Sequence, residues 1–86
     1  MRSFPLEAPR DVSGEDLVRS LRRFGYEIAR QTGSHIRVTS KLKGAEHHVT
    51  IPAHRQIKIG TLAEILGDVA AYLELTREEL IRRLFE

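Results

Sequence analysis

The sequence predicts an α+β domain in which helices pack on one face of a three-stranded antiparallel sheet. Apolar residues recur at helical spacing near the start of the chain and again over its last third, whereas the period changes to two between residues 26 and 52. The resulting order is helix, three strands, helix and short C-terminal helix. Eighty-six residues support one small core, so we expect a single domain over residues 13–86, preceded by a tail or lead-in over residues 1–12.

The first helix has recognisable start and stop signals. Ser13 and Asp16 have the spacing of a capping box, and Gly25 suits a left-handed cap after a helix that runs to about Phe24. The later helices are predicted in the same way, with capping boxes at Thr61-Leu62-Ala63-Glu64 and Thr76-Arg77-Glu78-Glu79. Their apolar stripes are Leu62, Ile65, Leu66, Val69 and Leu73 for the second helix, and Leu80, Ile81, Leu84 and Phe85 for the last.

Three strands are predicted at about residues 26–31, 35–40 and 46–51. A turn at Gly33 and Ser34 separates the first two, a longer turn containing Gly44 separates the next two, and Pro52 ends the third because it lacks an N–H. In the first strand Tyr26 and Ile28 should face one side of the sheet. The side chains of Glu27, Ala29 and Gln31 should then face the other.

The apolar positions set the register of the sheet, because they must share one face. The second and third strands should therefore pair Ile36 with Ile51, Val38 with Val49, and Arg37 with Thr50. His35 then falls across from Pro52, which brings His54 close by, and in the first hairpin the same rule sets Ala29 beside His35. The face away from the helices should present His35, Arg37 and His48.

Charge is distributed unevenly along the chain, although the formal net charge is only +2. Residues 30–58 carry six basic side chains and one carboxylate, whereas residues 59–86 carry three basic and six acidic side chains. The central segment would attract an anionic ligand such as a nucleic acid. The alternative is a solvated hairpin whose lysines protect the sheet edges from aggregation. The basic residues are Arg30, Arg37, Lys41, Lys43, Arg55 and Lys58.

Several classes of site and location are disfavoured by the sequence. The chain has no cysteine, no apolar run long enough to span a bilayer and no secretion-signal pattern at its start, so we expect an intracellular, cytoplasmic protein. His47 and His48 are adjacent on a strand and should point to opposite faces, which disfavours a shared metal ion. We expect neither a metal nor a cofactor. Glu46 is interpreted as an ion-pair partner of Lys41 or Lys43.

Three ordered blocks of residues resemble the HicA (YcfA-like) toxin family. They are Gly33-Ser34-His35, Val49-Thr50-Ile51-Pro52-Ala53-His54, and Ile59-Gly60-Thr61-Leu62 followed by Ile65-Leu66, and the resemblance covers roughly residues 13–85. It implies a double-stranded-RNA-binding-domain-like fold and an mRNA interferase of a type II toxin–antitoxin system, held in check by a HicB-type antitoxin. Two features depart from the family pattern: the long segment before Asp11, and the lack of an Ala-Gly break in residues 67–75.

The resemblance also implies that His35 is the catalytic residue of a metal-independent endoribonuclease. Such cleavage needs a base, an acid and a cation for the developing charge on phosphorus. His35 is a candidate base or acid, His54 the possible second acid/base, and Arg37 a candidate for phosphate because its planar fork matches the oxygens. Gly33 and Ser34 form the structural turn. The remaining candidate RNA-binding residues are Lys41, Lys43, His48, Arg55 and Lys58.

Two other functions are compatible with the same residues. A non-catalytic module of this fold would grip RNA by shape, through phosphates and 2′-hydroxyls, and would not depend on one histidine. A scaffold protein with an incidental basic patch would show no salt-sensitive RNA binding. Because fold alone does not select among them, the choice depends on the site.

Overall fold

A computed structural model describes residues 11–85 of the chain. The elements are α1 (Gly14–Leu21) followed by a 3₁₀ turn (Arg22–Phe24), then β1 (Glu27–Thr32), β2 (His35–Ser40), β3 (His47–Pro52), α2 (Ile59–Leu73) and α3 (Arg77–Phe85). The strands form one antiparallel sheet in the order β1-β2-β3, which confirms the predicted α+β architecture. Within residues 11–85, no helix has the length and apolar character required to cross a membrane.

The core lies between the helices and one face of the sheet. Alternate residues of β2 and β3 are buried there, whereas those between them are mostly exposed. The predicted apolar stripe of α2 is buried in the same cluster, together with residues of α1 and α3. The buried strand residues are Ile36, Val38, Val49 and Ile51, and the fully covered helix residues include Leu17, Leu21, Leu66 and Leu80. The opposite face of the sheet is therefore left open.

The segment before α1 joins this core. Val12, the last residue of the predicted tail, is buried, and its carbonyl accepts the N–H of Ile57 at 2.8 Å. The rest of that predicted tail, apart from Asp11, falls outside the described residues. Ser13 then caps α1, its hydroxyl accepting the N–H of Asp16 at 3.0 Å, and Gly25 follows the 3₁₀ turn at φ 80°, both as predicted.

The predicted register holds in the second hairpin but is wrong in the first. His35 pairs with Pro52, and the three predicted pairs of β2 with β3 are present. In the first hairpin His35 pairs with Thr32 and not with Ala29, and a β-bulge lies between Ile28 and Arg30. The bulge adds one residue to β1, which reverses the side of every residue that follows it. Ile28 stays opposite Val38, but it is 44% exposed at the sheet edge.

The capping of the last two helices differs from one to the other. α2 starts at Ile59 behind Lys58, which makes no side-chain cap, so the predicted capping box of Thr61 and Glu64 is wrong. Thr61 lies inside the first turn of the helix and not at the position before it. At α3 the prediction is confirmed, because Thr76 Oγ1 accepts the Glu79 N–H at 3.0 Å and Glu79 accepts the Thr76 N–H at 3.0 Å.

Candidate active site

His35 lies at the first position of β2, directly after a two-residue turn. Gly33 in that turn has φ 28°, a conformation that residues with a Cβ rarely adopt, and its surroundings are open to solvent. The Ser34 hydroxyl and His35 Nδ1 share a hydrogen bond of 3.2 Å. The imidazole is therefore held through Nδ1, which leaves Nε2 as the nitrogen available to a ligand.

A shallow depression of 270 Å³ surrounds His35 on the open face of the sheet. It is lined by Arg30, Thr32, His35, Arg37 and Thr50. The strand pairing explains this set, because Thr32 lies opposite His35 and both Arg30 and Thr50 lie opposite Arg37. The lining offers one titratable imidazole, two guanidinium groups and two hydroxyls, with no carboxylate, which suits a phosphate-bearing ligand.

The loop that carries His54 is tied by its backbone to the turn that carries His35. The Ala53 N–H donates to the Ser34 carbonyl at 2.8 Å, and the His54 carbonyl accepts the Gly14 N–H at 2.9 Å. Within residues 11–85 no hydrogen bond joins the two imidazoles, and His54 does not line the depression. Arg55 is exposed in the same loop. Lys58 is exposed just before α2.

The other candidate basic residues lie at the opposite end of the sheet. Lys41 follows the last residue of β2 and is roughly 20 Å from His35 along the strand. It pairs with Glu46 at 3.4 Å, the predicted ion pair, while Lys43 pairs with Glu74 at 3.5 Å. These two lysines therefore lie away from the depression around His35.

His48 is also at that end of the sheet, on the open face. Its Nδ1 shares a hydrogen bond of 2.8 Å with the Thr39 hydroxyl, and its Nε2 lies 3.5 Å from a Glu46 carboxylate oxygen. Both ring nitrogens therefore have partners within the protein. This distinguishes His48 from His35, for which Nδ1 alone has a hydrogen-bonding partner among the described residues.

His47 faces the other way and is packed between two tyrosines and α2. Its Nδ1 lies 2.6 Å from the Tyr26 hydroxyl, its ring stacks on Tyr72 at 4.7 Å, and its Nε2 is 3.3 Å from Asp68. Burial, followed by the nearby Tyr72 and Asp68, raises the pKa of Tyr26 above its ordinary value. Among residues 11–85 no group of three or more metal-ligating side chains comes together.

Two residues of the depression, Arg30 and Thr32, were not among the site residues predicted from sequence. Regular alternation from Tyr26 assigns Arg30 to the apolar face, and only the bulge brings it to the open face. One signal was available: a regular strand would have placed the charged Arg30 on the same side of the sheet as the apolar side chains of Tyr26 and Ile28. That conflict indicates an irregular strand.

Comparison with known proteins identifies one related family. A family model for the HicA toxin of bacterial toxin–antitoxin systems matches residues 14–70, which is more than half of the chain. The matched range runs from the start of α1 through the whole sheet and most of α2, and it includes every residue of the depression. No curated protein and no solved structure gives a significant match.

Proposed function

Because this chain belongs to the HicA toxin family of bacterial toxin–antitoxin systems, we propose that it is a metal-independent endoribonuclease whose catalytic residue is His35. The observation that carries the proposal is the depression on the open sheet face. It combines an exposed imidazole with the guanidinium of Arg37 and contains no carboxylate. An mRNA phosphodiester is the substrate, and the cytoplasm is the place of action.

The chemistry requires no group beyond those of the chain and its substrate. The 2′-hydroxyl oxygen of a ribose attacks the adjacent phosphorus, forming a new O–P bond while the bond to the 5′-oxygen of the next nucleotide breaks. A base removes the 2′-hydroxyl proton and an acid supplies a proton to the departing 5′-oxygen. The products are a 2′,3′-cyclic phosphate and a free 5′-hydroxyl.

His35 is assigned to proton transfer because Ser34 engages Nδ1 and leaves Nε2 to the substrate. Arg37 is assigned to the phosphate, where its charge stabilises the negative charge that develops on the oxygens. His54 is assigned as the second proton-transfer group. This assignment is supported by the 2.8 Å hydrogen bond from the Ala53 N–H to the Ser34 carbonyl, which keeps the His54 loop beside the His35 turn.

Growth and cleavage assays test the assignment of His35. Induced expression of the wild type in a bacterium should stop growth, and His35→Ala should restore it while keeping a wild-type circular dichroism spectrum. With purified protein in EDTA, we expect His35→Ala to lower kcat by about 10²- to 10⁴-fold. Cleavage products of the wild type should carry 2′,3′-cyclic phosphates.

His48→Ala is the matched control, since His48 is an exposed histidine on the same face of the sheet. It should weaken RNA binding at most, with kcat close to that of the wild type. Equal toxicity of the wild type and His35→Ala would contradict the assignment of His35. If His35→Ala retained RNA binding and biological effect, the non-catalytic RNA-binding module would be the better description.

The protein partner proposed for this chain is a HicB-type antitoxin, on the basis of family membership. A small reading frame beside the gene is the first place to seek it. Co-expression of its product should restore growth to cells that express the wild-type toxin, and the two proteins should co-purify. Continued growth arrest in the presence of a complex would contradict this partnership.

A further inference from the structure

Arg30 and Arg37 lie directly opposite each other on neighbouring strands. The bulge at Ala29 creates this pair, because without it Arg30 would share the apolar side with Ile28. Directly opposite residues in an antiparallel pair have Cβ atoms roughly 5 Å apart, and like charges at that position are destabilising. The chain thus holds two guanidinium groups together at some cost to the free protein.

No acidic side chain in the described part of the chain neutralises these two charges. Both arginines are exposed, and among residues 11–85 no carboxylate forms an ion pair with either of them. By contrast, several other basic side chains do have acidic partners: Arg19 pairs with Asp16, Lys41 with Glu46 and Lys43 with Glu74. The charges of Arg30 and Arg37 are therefore not neutralised by any carboxylate within residues 11–85.

The position of the pair identifies the chemistry of the ligand it would bind. Arg30 and Arg37 line the same depression as His35, together with the hydroxyls of Thr32 and Thr50. Guanidinium forks bind phosphate oxygens in a planar, two-pronged geometry, and hydroxyl groups add further donors. We propose that Arg30 and Arg37 form a two-arginine site for a phosphodiester of the RNA backbone, placed beside His35 by the β-bulge.

The two-arginine site rests on the proposed function because its ligand is taken to be RNA. It concerns the binding of RNA and not its cleavage. Arg30 is the new member. It lies on the edge strand, so RNA can approach it from the open face and from the outer side of β1. A phosphate between the two guanidinium groups would replace their mutual repulsion by two sets of charge-assisted hydrogen bonds.

Binding of a non-cleavable RNA tests the site in the intact protein. The probe is a fluorescently labelled oligouridylate with 2′-O-methyl riboses, which lacks the attacking hydroxyl and leaves His35 unmodified. We expect Arg30→Gln to weaken binding about tenfold at about 0.1 M salt. The slope of log affinity against log salt should fall by about 0.7 for each phosphate that the variant no longer neutralises.

Three further variants sharpen the result. Arg82→Gln removes an exposed arginine of α3 and should leave binding within about twofold, as expected for a residue outside the site. Arg30→Lys keeps the charge but loses the fork, so its binding should be intermediate. If both arginines hold one phosphate, the double variant Arg30→Gln/Arg37→Gln should lose less than the product of the two single losses.

Thermal stability gives an independent expectation. Relief of the repulsion should raise the melting temperature of free Arg30→Gln by about 1–6 °C, although its RNA binding is weaker. Unchanged RNA binding in Arg30→Gln, or a loss no larger than in Arg82→Gln, overturns the site. The nuclease assignment can fail separately. If the protein does not cleave unmodified RNA but its RNA binding still depends on Arg30, the catalytic proposal is overturned and the two-arginine site is supported.

Discussion

The backbone of Gly14 lies directly against the carbonyl oxygen of Pro52, with no room for a side chain between them. The Gly14 N–H also donates to the His54 carbonyl at 2.9 Å. The first residue of α1 is therefore joined to the end of β3 and to the loop that runs beside the His35 turn. Glycine is required here by close approach of two backbones and not by a special backbone angle.

Gly14→Ala should lower the free energy of unfolding by about 1–3 kcal/mol, because the added Cβ meets backbone that cannot move independently. The control is Gly67→Ala in the middle of α2, where a Cβ meets nothing within 4 Å. That variant should be more stable than the wild type by about 0.5–1 kcal/mol. Urea unfolding followed by circular dichroism measures both changes in unfolding free energy. If the two variants changed stability in the same direction, the steric argument would be contradicted.

Removal of the Ser34 hydroxyl tests how His35 is positioned. Ser34→Ala frees Nδ1 from its 3.2 Å partner, so the ring samples other orientations and tautomers. Under the proposed function we expect kcat to fall about tenfold with KM within about twofold, a loss that is specific to the reacting state. Ser34→Thr, which keeps the hydroxyl, should recover most of the activity. A purely structural role would instead change melting temperature without this separation of kcat from KM.

Capping of α3 should depend on Thr76. Thr76→Ala removes the hydroxyl that accepts the Glu79 N–H, and we expect a loss of about 1 kcal/mol in unfolding free energy. Thr61→Ala is the paired control, because α2 begins before Thr61 and receives no side-chain cap; its effect should stay within about 0.5 kcal/mol. Equal losses in the two variants, measured by urea unfolding, would show that the cap has no stabilising role.

The hydrogen bonds at the α3 cap also predict that part of the protein's stability depends weakly on pH in the acidic range. Hydrogen bonds from the backbone N–H and hydroxyl of Thr76 lower the pKa of Glu79 below its ordinary value. A carboxylate whose pKa is lower in the folded state stabilises the protein above its unfolded pKa, and that contribution disappears as pH falls. In Thr76→Ala this part of the acid dependence, measured by urea unfolding at a series of acidic pH values, should be smaller than in the wild type.

Alkaline stability should depend on Tyr26. Its pKa is raised mainly by burial, so the folded protein keeps the phenol neutral at a pH where the unfolded chain ionises it. Because the pKa of Tyr26 is higher in the folded state, its contribution to stability is fully present below the unfolded pKa of about 10. That contribution declines as the pH rises beyond this value.

Tyr26→Phe cannot ionise, but it loses the hydrogen bond to His47 and should be about 1 kcal/mol less stable at neutral pH. That deficit should shrink as pH rises past about 10, because only the wild type loses the ionisation contribution. Urea unfolding of both proteins across this range measures the difference. A deficit that is constant with pH would mean that Tyr26 is not held neutral by the fold.

The element order, most helix ends and the pairing of β2 with β3 could be predicted from the sequence, because each depends on short-range patterns. Apolar alternation determines which face is buried, and Ser13, Gly25 and Thr76 act on residues within one helical turn. The position of His35 after a glycine turn on an open sheet face followed from the same local signals. These interactions span few residues, so they can be recognised directly in the sequence.

The composition of the site around His35 was decided by the tertiary structure. Whether Arg30 or Ala29 reaches the open face depends on one extra residue in β1, a choice that is made by how the whole sheet packs on its helices. Likewise, the separation of Lys41 and Lys43 from His35 follows from the length of β2 and not from their nearness in sequence. Local patterns determine which face a regular strand buries; only packing decides where the strand is irregular.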